Sequence, residues 1–114
     1  MTTKAEGWGG RDRILWANST IRALDYRTGK VVWNHELGEG ESIAGILTTA
    51  GRLLFTGDNS GHLLALDPVN GETLWHVNMG GELLASPMTY QLDGRQYVIL
   101  PIESVLYAFA LPQK

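Results

Sequence analysis

The chain contains no cysteine, so it has neither a disulfide framework nor thiolate metal ligands to draw on. It carries no strong charge of either sign. The formal net charge is −3, and the few Lys and Arg residues are scattered instead of forming a stripe. A nucleic-acid partner is excluded on that ground, because phosphate binding needs clustered positive charge. No apolar run approaches the roughly 20 residues of a membrane-spanning helix, so no membrane partner is expected. The opening Met1-Thr2-Thr3-Lys4-Ala5-Glu6-Gly7 lacks an apolar core, and no signal peptide is read there. Only four prolines stand beside 14 glycines in 114 residues. That ratio suits many short strands joined by tight turns, where positive φ is needed.

At 44% hydrophobic and 18% charged the composition is that of an ordinary globular domain. Four tryptophans supply much of the burial that one small core requires. The most informative feature is an internal repeat. Residues 21–38 read IRALDYRTGKVVWNHELG, and residues 63–80 read LLALDPVNGETLWHVNMG. Ala23, Leu24, Asp25, Gly29, Trp33 and Gly38 recur as Ala65, Leu66, Asp67, Gly71, Trp75 and Gly80, each pair 42 residues apart. A third copy begins at Leu106-Tyr107-Ala108-Phe109-Ala110, with Ala110 in the aspartate's place. A period in the low forties with four short strands per unit is the signature of propeller blades.

The predicted fold is therefore all-β: antiparallel propeller blades, about two and a half four-stranded units, forming an incomplete propeller. A single partial domain over 1–114 divides into an N-terminal segment (1–12), a partial blade (13–38), a complete blade (39–80) and a partial blade (81–114). The first blade is expected to lack its innermost strand and the third its outermost.

In each Asp-x-x-x-Gly-x-x-x-Trp copy, the carboxylate of Asp25 or Asp67 accepts from turn N–H groups. Gly29 or Gly71 takes the left-handed position that closes the hairpin. Trp33 and Trp75 then fall on the outermost strands, each covering the seam to the neighbouring blade. Both are expected to be buried and equivalent, with Trp75 the costlier to remove because it has more of the chain around it. His35, His62 and His76 show no metal-ligand spacing and are read as ordinary surface histidines. Gly57-Asp58-Asn59-Ser60-Gly61 is too short for a calcium loop and is read as a hairpin turn. Asn18-Ser19-Thr20 matches a glycosylation sequon by chance. Glu39, Glu41 and Glu82 are placed in solvated loops between blades. There is no nucleophile elbow, phosphate-cradling glycine pattern or nucleophile–base pair, and no catalytic or metal-binding residue is assigned.

These repeats resemble the quinoprotein (PQQ-dependent) alcohol and glucose dehydrogenases, whose tryptophan-docking motif joins blade to blade. Residues 48–58 are similar to that family's penultimate blade. Ser86-Pro87-Met88-Thr89-Tyr90 and Asp93-Gly94-Arg95-Gln96-Tyr97-Val98 are similar to its last blade. The likeness covers roughly residues 14–112. It implies an eight-bladed propeller holding PQQ, usually with calcium, and oxidising alcohols or sugars in the periplasm. The family's catalytic aspartate, calcium ligands and stacking tryptophan belong to blades that this chain does not contain. One cofactor contact carries over by position: Ile43-Ala44-Gly45 stand where many members have Trp-Gly-Gly. The expectation is a C-terminal, structural segment with no cofactor of its own. It would partner the missing N-terminal blades or further copies of itself, by blade stacking or by strand exchange through residues 2–12. A non-catalytic scaffold or binding module built from several copies is the alternative.

Overall fold

A computed structural model describes residues 18–40 and 42–110. Nine strands and no helix occur among them. β1 (Asn18–Leu24) and β2 (Val31–Glu39) form a two-stranded antiparallel sheet. β3 (Leu47–Thr48), β4 (Leu54–Gly57), β5 (His62–Leu66) and β6 (Thr73–Asn78) form a four-stranded meander. β7 (Met88–Leu92), β8 (Arg95–Ile102) and β9 (Val105–Ala110) form a three-stranded one. Residues 1–17, which hold the N-terminal segment (1–12) and the start of the first partial blade, lie outside the described residues, as does Glu41.

The strand pattern follows from what each face meets. The middle sheet is covered on both faces, so β5 reads as an unbroken apolar run, Leu63-Leu64-Ala65-Leu66, with no polar alternation. Leu64 and Leu66 join Leu54 and Leu37 in one core, with Ile21 and Trp33 against it. Leu63 points the other way, joining Leu83, Leu100 and Ile102 in a second core with Phe55, Val77 and Phe109 packed on it. One strand thus feeds both seams. Among the described residues each edge sheet is covered on one face, and β8 alternates accordingly: Val98, Leu100 and Ile102 are buried, with more exposed residues between.

The seam between the second and third sheets is close enough to require glycine at two positions. A Cβ at Gly57 would stand 2.7 Å from the Leu83 side chain, and one at Gly61 would stand 2.8 Å from the Gly81 carbonyl oxygen. Thr56, on the other face of β4 with Leu54, is completely buried, and its hydroxyl donates to the Gly45 carbonyl at 3.2 Å, which removes the cost of an unpaired polar group. In the third sheet the tight β7–β8 hairpin has Asp93 at φ 52° and Gly94 at φ 76°. Two successive positive φ values make the primed turn whose twist matches the flanking strands.

Candidate functional site

The best-formed polar arrangement lies where the first sheet meets the second. Its base is the repeated turn. Asp67 Oδ1 accepts from the Val69 N–H at 2.8 Å, the Gly71 N–H donates to the Asp67 carbonyl at 2.7 Å, and Gly71 has φ 76°. The earlier copy is built alike. Asp25 Oδ1 accepts from the N–H groups of Arg27 and Thr28 at 2.8 and 3.1 Å, the Gly29 N–H donates to the Asp25 carbonyl at 2.7 Å, and Gly29 has φ 71°. Each turn is preceded by a register shift, between Ala23 and Leu24 or between Ala65 and Leu66. The bulge swings the chain out so that the carboxylate can reach the turn amides.

Trp33, on β2, lies across the second of these turns. Its indole N–H donates to the Pro68 carbonyl at 2.9 Å, and its ring is so close to Gly71 that a Cβ there would stand 2.5 Å from it. Two positions on, and so on the same strand face, His35 Nδ1 lies 2.9 Å from the Gly71 carbonyl oxygen. A carbonyl only accepts, so this contact requires the proton on Nδ1. Asn59 holds the far end of the seam. Its amide N–H donates to the Leu37 carbonyl at 3.1 Å, and its side-chain amide donates to the carbonyls of Glu39 at 2.8 Å and Gly38 at 3.3 Å. Replacing Asn59 by alanine is expected to cost about 1 kcal/mol, read as a lower midpoint in urea with unchanged slope. A midpoint equal to that of the wild type would show that these bonds contribute nothing net.

Trp75 differs from Trp33, and the expectation that both are buried and equivalent is corrected. Trp75 is 43% exposed, and its ring meets the Phe109 ring edge-on, centres 6.0 Å apart. The physical reason is the receptor. Trp33 rests on the Asp-x-x-x-Gly turn that follows β5. For Trp75 the ring contact among the described residues is the edge of Phe109. Trp33 is therefore the costlier tryptophan to remove, reversing the sequence-based ranking.

The histidines are less ordinary than their spacing suggests. His35 takes part in the seam, and His62 sits 3.0 Å from an Asp58 oxygen. The rings of His62 and His76 meet edge-on, centres 5.7 Å apart. Among the described residues no three His, Cys, Asp or Glu side chains gather to hold a metal ion. Asp58 Oδ1 accepts from the Ser60 and His62 N–H groups, as a hairpin turn requires. Glu39 and Glu82 are exposed.

Ile43, Ala44 and Gly45 lie between the first sheet and β3. Ile43 is 57% exposed, and Ala44 packs against the second core. A Cβ on Gly45 would stand 2.7 Å from that of Ser86, so that face of Gly45 is filled by protein. A cleft of about 410 Å³ runs beside them, lined by Ser19, Arg22, Ser42, Ala44 and Ile46 among others. PQQ is a planar, polyanionic quinone. Residues 43–45 offer it no aromatic plane and no cation, and by themselves they do not fit it.

Comparison with known proteins agrees with this architecture. The family described as outer membrane protein assembly factor BamB matches residues 17–109. Quinoprotein ethanol dehydrogenase of Pseudomonas aeruginosa is 40% identical over 97 residues, which cover 81% of this chain and 15% of that protein. The crystal structure of quinohemoprotein alcohol dehydrogenase from Comamonas testosteroni aligns with TM-score 0.69 and 35% identity, over 75% of this chain and 12% of that one. BamB from Moraxella catarrhalis aligns with TM-score 0.62 and 29% identity, over 80% of this chain and 28% of that one. The chain thus spans only about 15% of the length of the curated relative it matches. By its matched residues and its stacked antiparallel sheets, the chain belongs to the β-propeller family described as outer membrane protein assembly factor BamB, and its curated relatives include quinoprotein alcohol dehydrogenases.

Proposed function

We propose that this chain is the C-terminal propeller segment of a PQQ-dependent alcohol or sugar dehydrogenase, structural in role and inactive alone. The 40% identity with quinoprotein ethanol dehydrogenase over 97 residues carries this reading. In it, residues 13–38, 39–80 and 81–114 are a partial, a complete and a partial blade. The two Asp-x-x-x-Gly-x-x-x-Trp copies act as the motif that joins blade to blade. PQQ and its calcium are held by blades outside this chain, in a periplasmic protein. A cofactor site at the centre of a propeller converges from several blades, and residues 43–45 supply at most one wall of it. The likeness to BamB supports a second reading, a non-catalytic propeller scaffold or binding module assembled from several copies.

The purified chain, given PQQ, calcium and ethanol or glucose with an artificial electron acceptor, is expected to show no turnover. Sustained oxidation by a preparation free of host dehydrogenase would overturn the structural reading. Mixed with quinoprotein ethanol dehydrogenase truncated before the matching residues, the chain should restore alcohol oxidation. A folded, soluble mixture without activity would favour the scaffold instead.

A further inference from the structure

The second copy of the repeated turn contains a reactive pair that the first does not. Of the five asparagines in the chain, Asn70 alone is followed by a glycine, Gly71. An asparagine before glycine is prone to ring closure, because a residue without a side chain leaves its peptide nitrogen open to the neighbouring carboxamide. The chemistry needs only water. The Gly71 nitrogen gives up its proton and bonds to Asn70 Cγ, the carboxamide nitrogen leaves as ammonia, and a five-membered succinimide forms. Water then opens the ring. Breaking the new bond to Cγ leaves aspartate. Breaking the original peptide bond leaves isoaspartate, whose main chain runs through Cγ and is longer by a methylene.

The closed first seam holds this pair in check. Asn70 is exposed, so water reaches its amide, but Gly71 is buried. The Gly71 N–H already donates to the Asp67 carbonyl at 2.7 Å, and the Trp33 ring lies so near that a Cβ on Gly71 would stand 2.5 Å from it. Asn70 Oδ1 accepts from the Glu72 N–H at 2.9 Å, which ties the carboxamide to the amide beyond Gly71. Ring closure has to free the Gly71 nitrogen and swing the carboxamide back onto it, under an indole that fixes the turn. The first copy makes the same bond with an inert side chain. There Thr28 Oγ1 accepts from the Lys30 N–H at 3.2 Å, and a hydroxyl has no ammonia to lose.

We propose that Asn70 is a deamidation site gated by the first seam, shielded while Trp33 is seated and converted to aspartate and isoaspartate when the seam opens. Both sides of that seam, Trp33 on β2 and the turn after β5, belong to this chain, so the gate does not depend on the dehydrogenase reading. Where opening and closing are fast relative to the chemistry, the rate follows the fraction of molecules with the seam open. Isoaspartate makes the opening lasting. Its extra methylene displaces Gly71 from the Asp67 carbonyl and from the indole, and Trp33 loses its seat.

Incubation in mildly alkaline buffer, followed by peptide mass mapping, tests this. Asn70 should convert about tenfold or more faster in the urea-unfolded chain than in the folded one. Asn59→Ala loosens the far end of the same seam without touching the turn, and should speed conversion in the folded chain about fivefold. Trp75→Ala, which weakens the other seam, should leave the rate unchanged. Asn70→Thr, which copies the first turn, should fold as the wild type does and lose the mass gain in that peptide. The isoaspartyl product, isolated by chromatography, should unfold at lower urea than the unmodified chain. Equal rates in the folded and unfolded chain overturn the inference. So does equal acceleration by Asn59→Ala and Trp75→Ala, which marks global unfolding as the route, or a mass gain that persists in Asn70→Thr.

Discussion

Alanine at Gly71 is expected to destabilise the chain by about 3 kcal/mol or more, while alanine at Gly29 should cost only about 1 kcal/mol. The two glycines share a conformation, φ 76° and 71°, so the backbone penalty for placing an L-residue at positive φ is the same at both. They differ in what a new methyl group meets. Nothing lies within 4 Å of a Cβ built on Gly29, whereas one on Gly71 would stand 2.5 Å from the Trp33 ring. Relief requires the indole to lift off, which lengthens its bond to the Pro68 carbonyl and opens the first core. Urea denaturation of the pair measures the difference directly, with the backbone term cancelled. Equal losses at the two positions would show that the close approach of Trp33 is not what glycine serves at 71.

The second large effect belongs to Trp33 itself. Trp33→Ala is expected to cost about 3 kcal/mol or more, towards the low end of what buried aromatic truncation usually costs because the ring is only half-buried. Lost with it are the indole hydrogen bond, the cover over Gly71 and the packing on Leu37, Leu54, Leu64 and Leu66. Trp75→Ala should cost about 1 kcal/mol, since that side chain is 43% exposed and gives up mainly an edge contact with Phe109. Trp33→Phe separates the terms, retaining most of the packing and losing about 1 kcal/mol with the N–H donor. Thermal or urea unfolding followed by tryptophan emission gives all three. A Trp75→Ala loss larger than that of Trp33→Ala would reverse the assignment of the seam.

The repeat made the strands and the turns legible. Aspartate, glycine and tryptophan at fixed offsets specify a local hairpin, and local chemistry repeats when sequence repeats. Of what joins the first sheet to the second, the sequence pointed to Trp33 and missed the polar partners beside it. His35 and Asn59 hold carbonyls 36 and 20 or 21 residues away, and period-two alternation tells which face a side chain takes, not what stands opposite. The meeting of His62 and His76 was hidden for a related reason. It depends on the β5–β6 register, which pairs Leu64 with His76 and sets His62 on the diagonal. Trp75 was misjudged because its letter repeats Trp33 while its surroundings do not. A side chain's burial depends on the receptor it finds, and the receptor here belongs to the following unit. The candidate cofactor contact at residues 43–45 rested on position alone; in the structure Gly45 stands against Ser86.

The bond from the Trp33 indole ends on a main-chain carbonyl, that of Pro68, and the ring lies on a residue with no side chain, Gly71. Neither contact reads the identity of the residues between. The turn in the middle sheet is Pro-Val-Asn and that in the first is Tyr-Arg-Thr, yet both keep the same hydrogen-bonded shape. A socket built from backbone makes the units interchangeable. Tandem duplication or unequal recombination between such units creates a new junction whose two halves already match. Such a joint is compatible with adding or removing whole units, because it does not depend on the letters between aspartate and glycine.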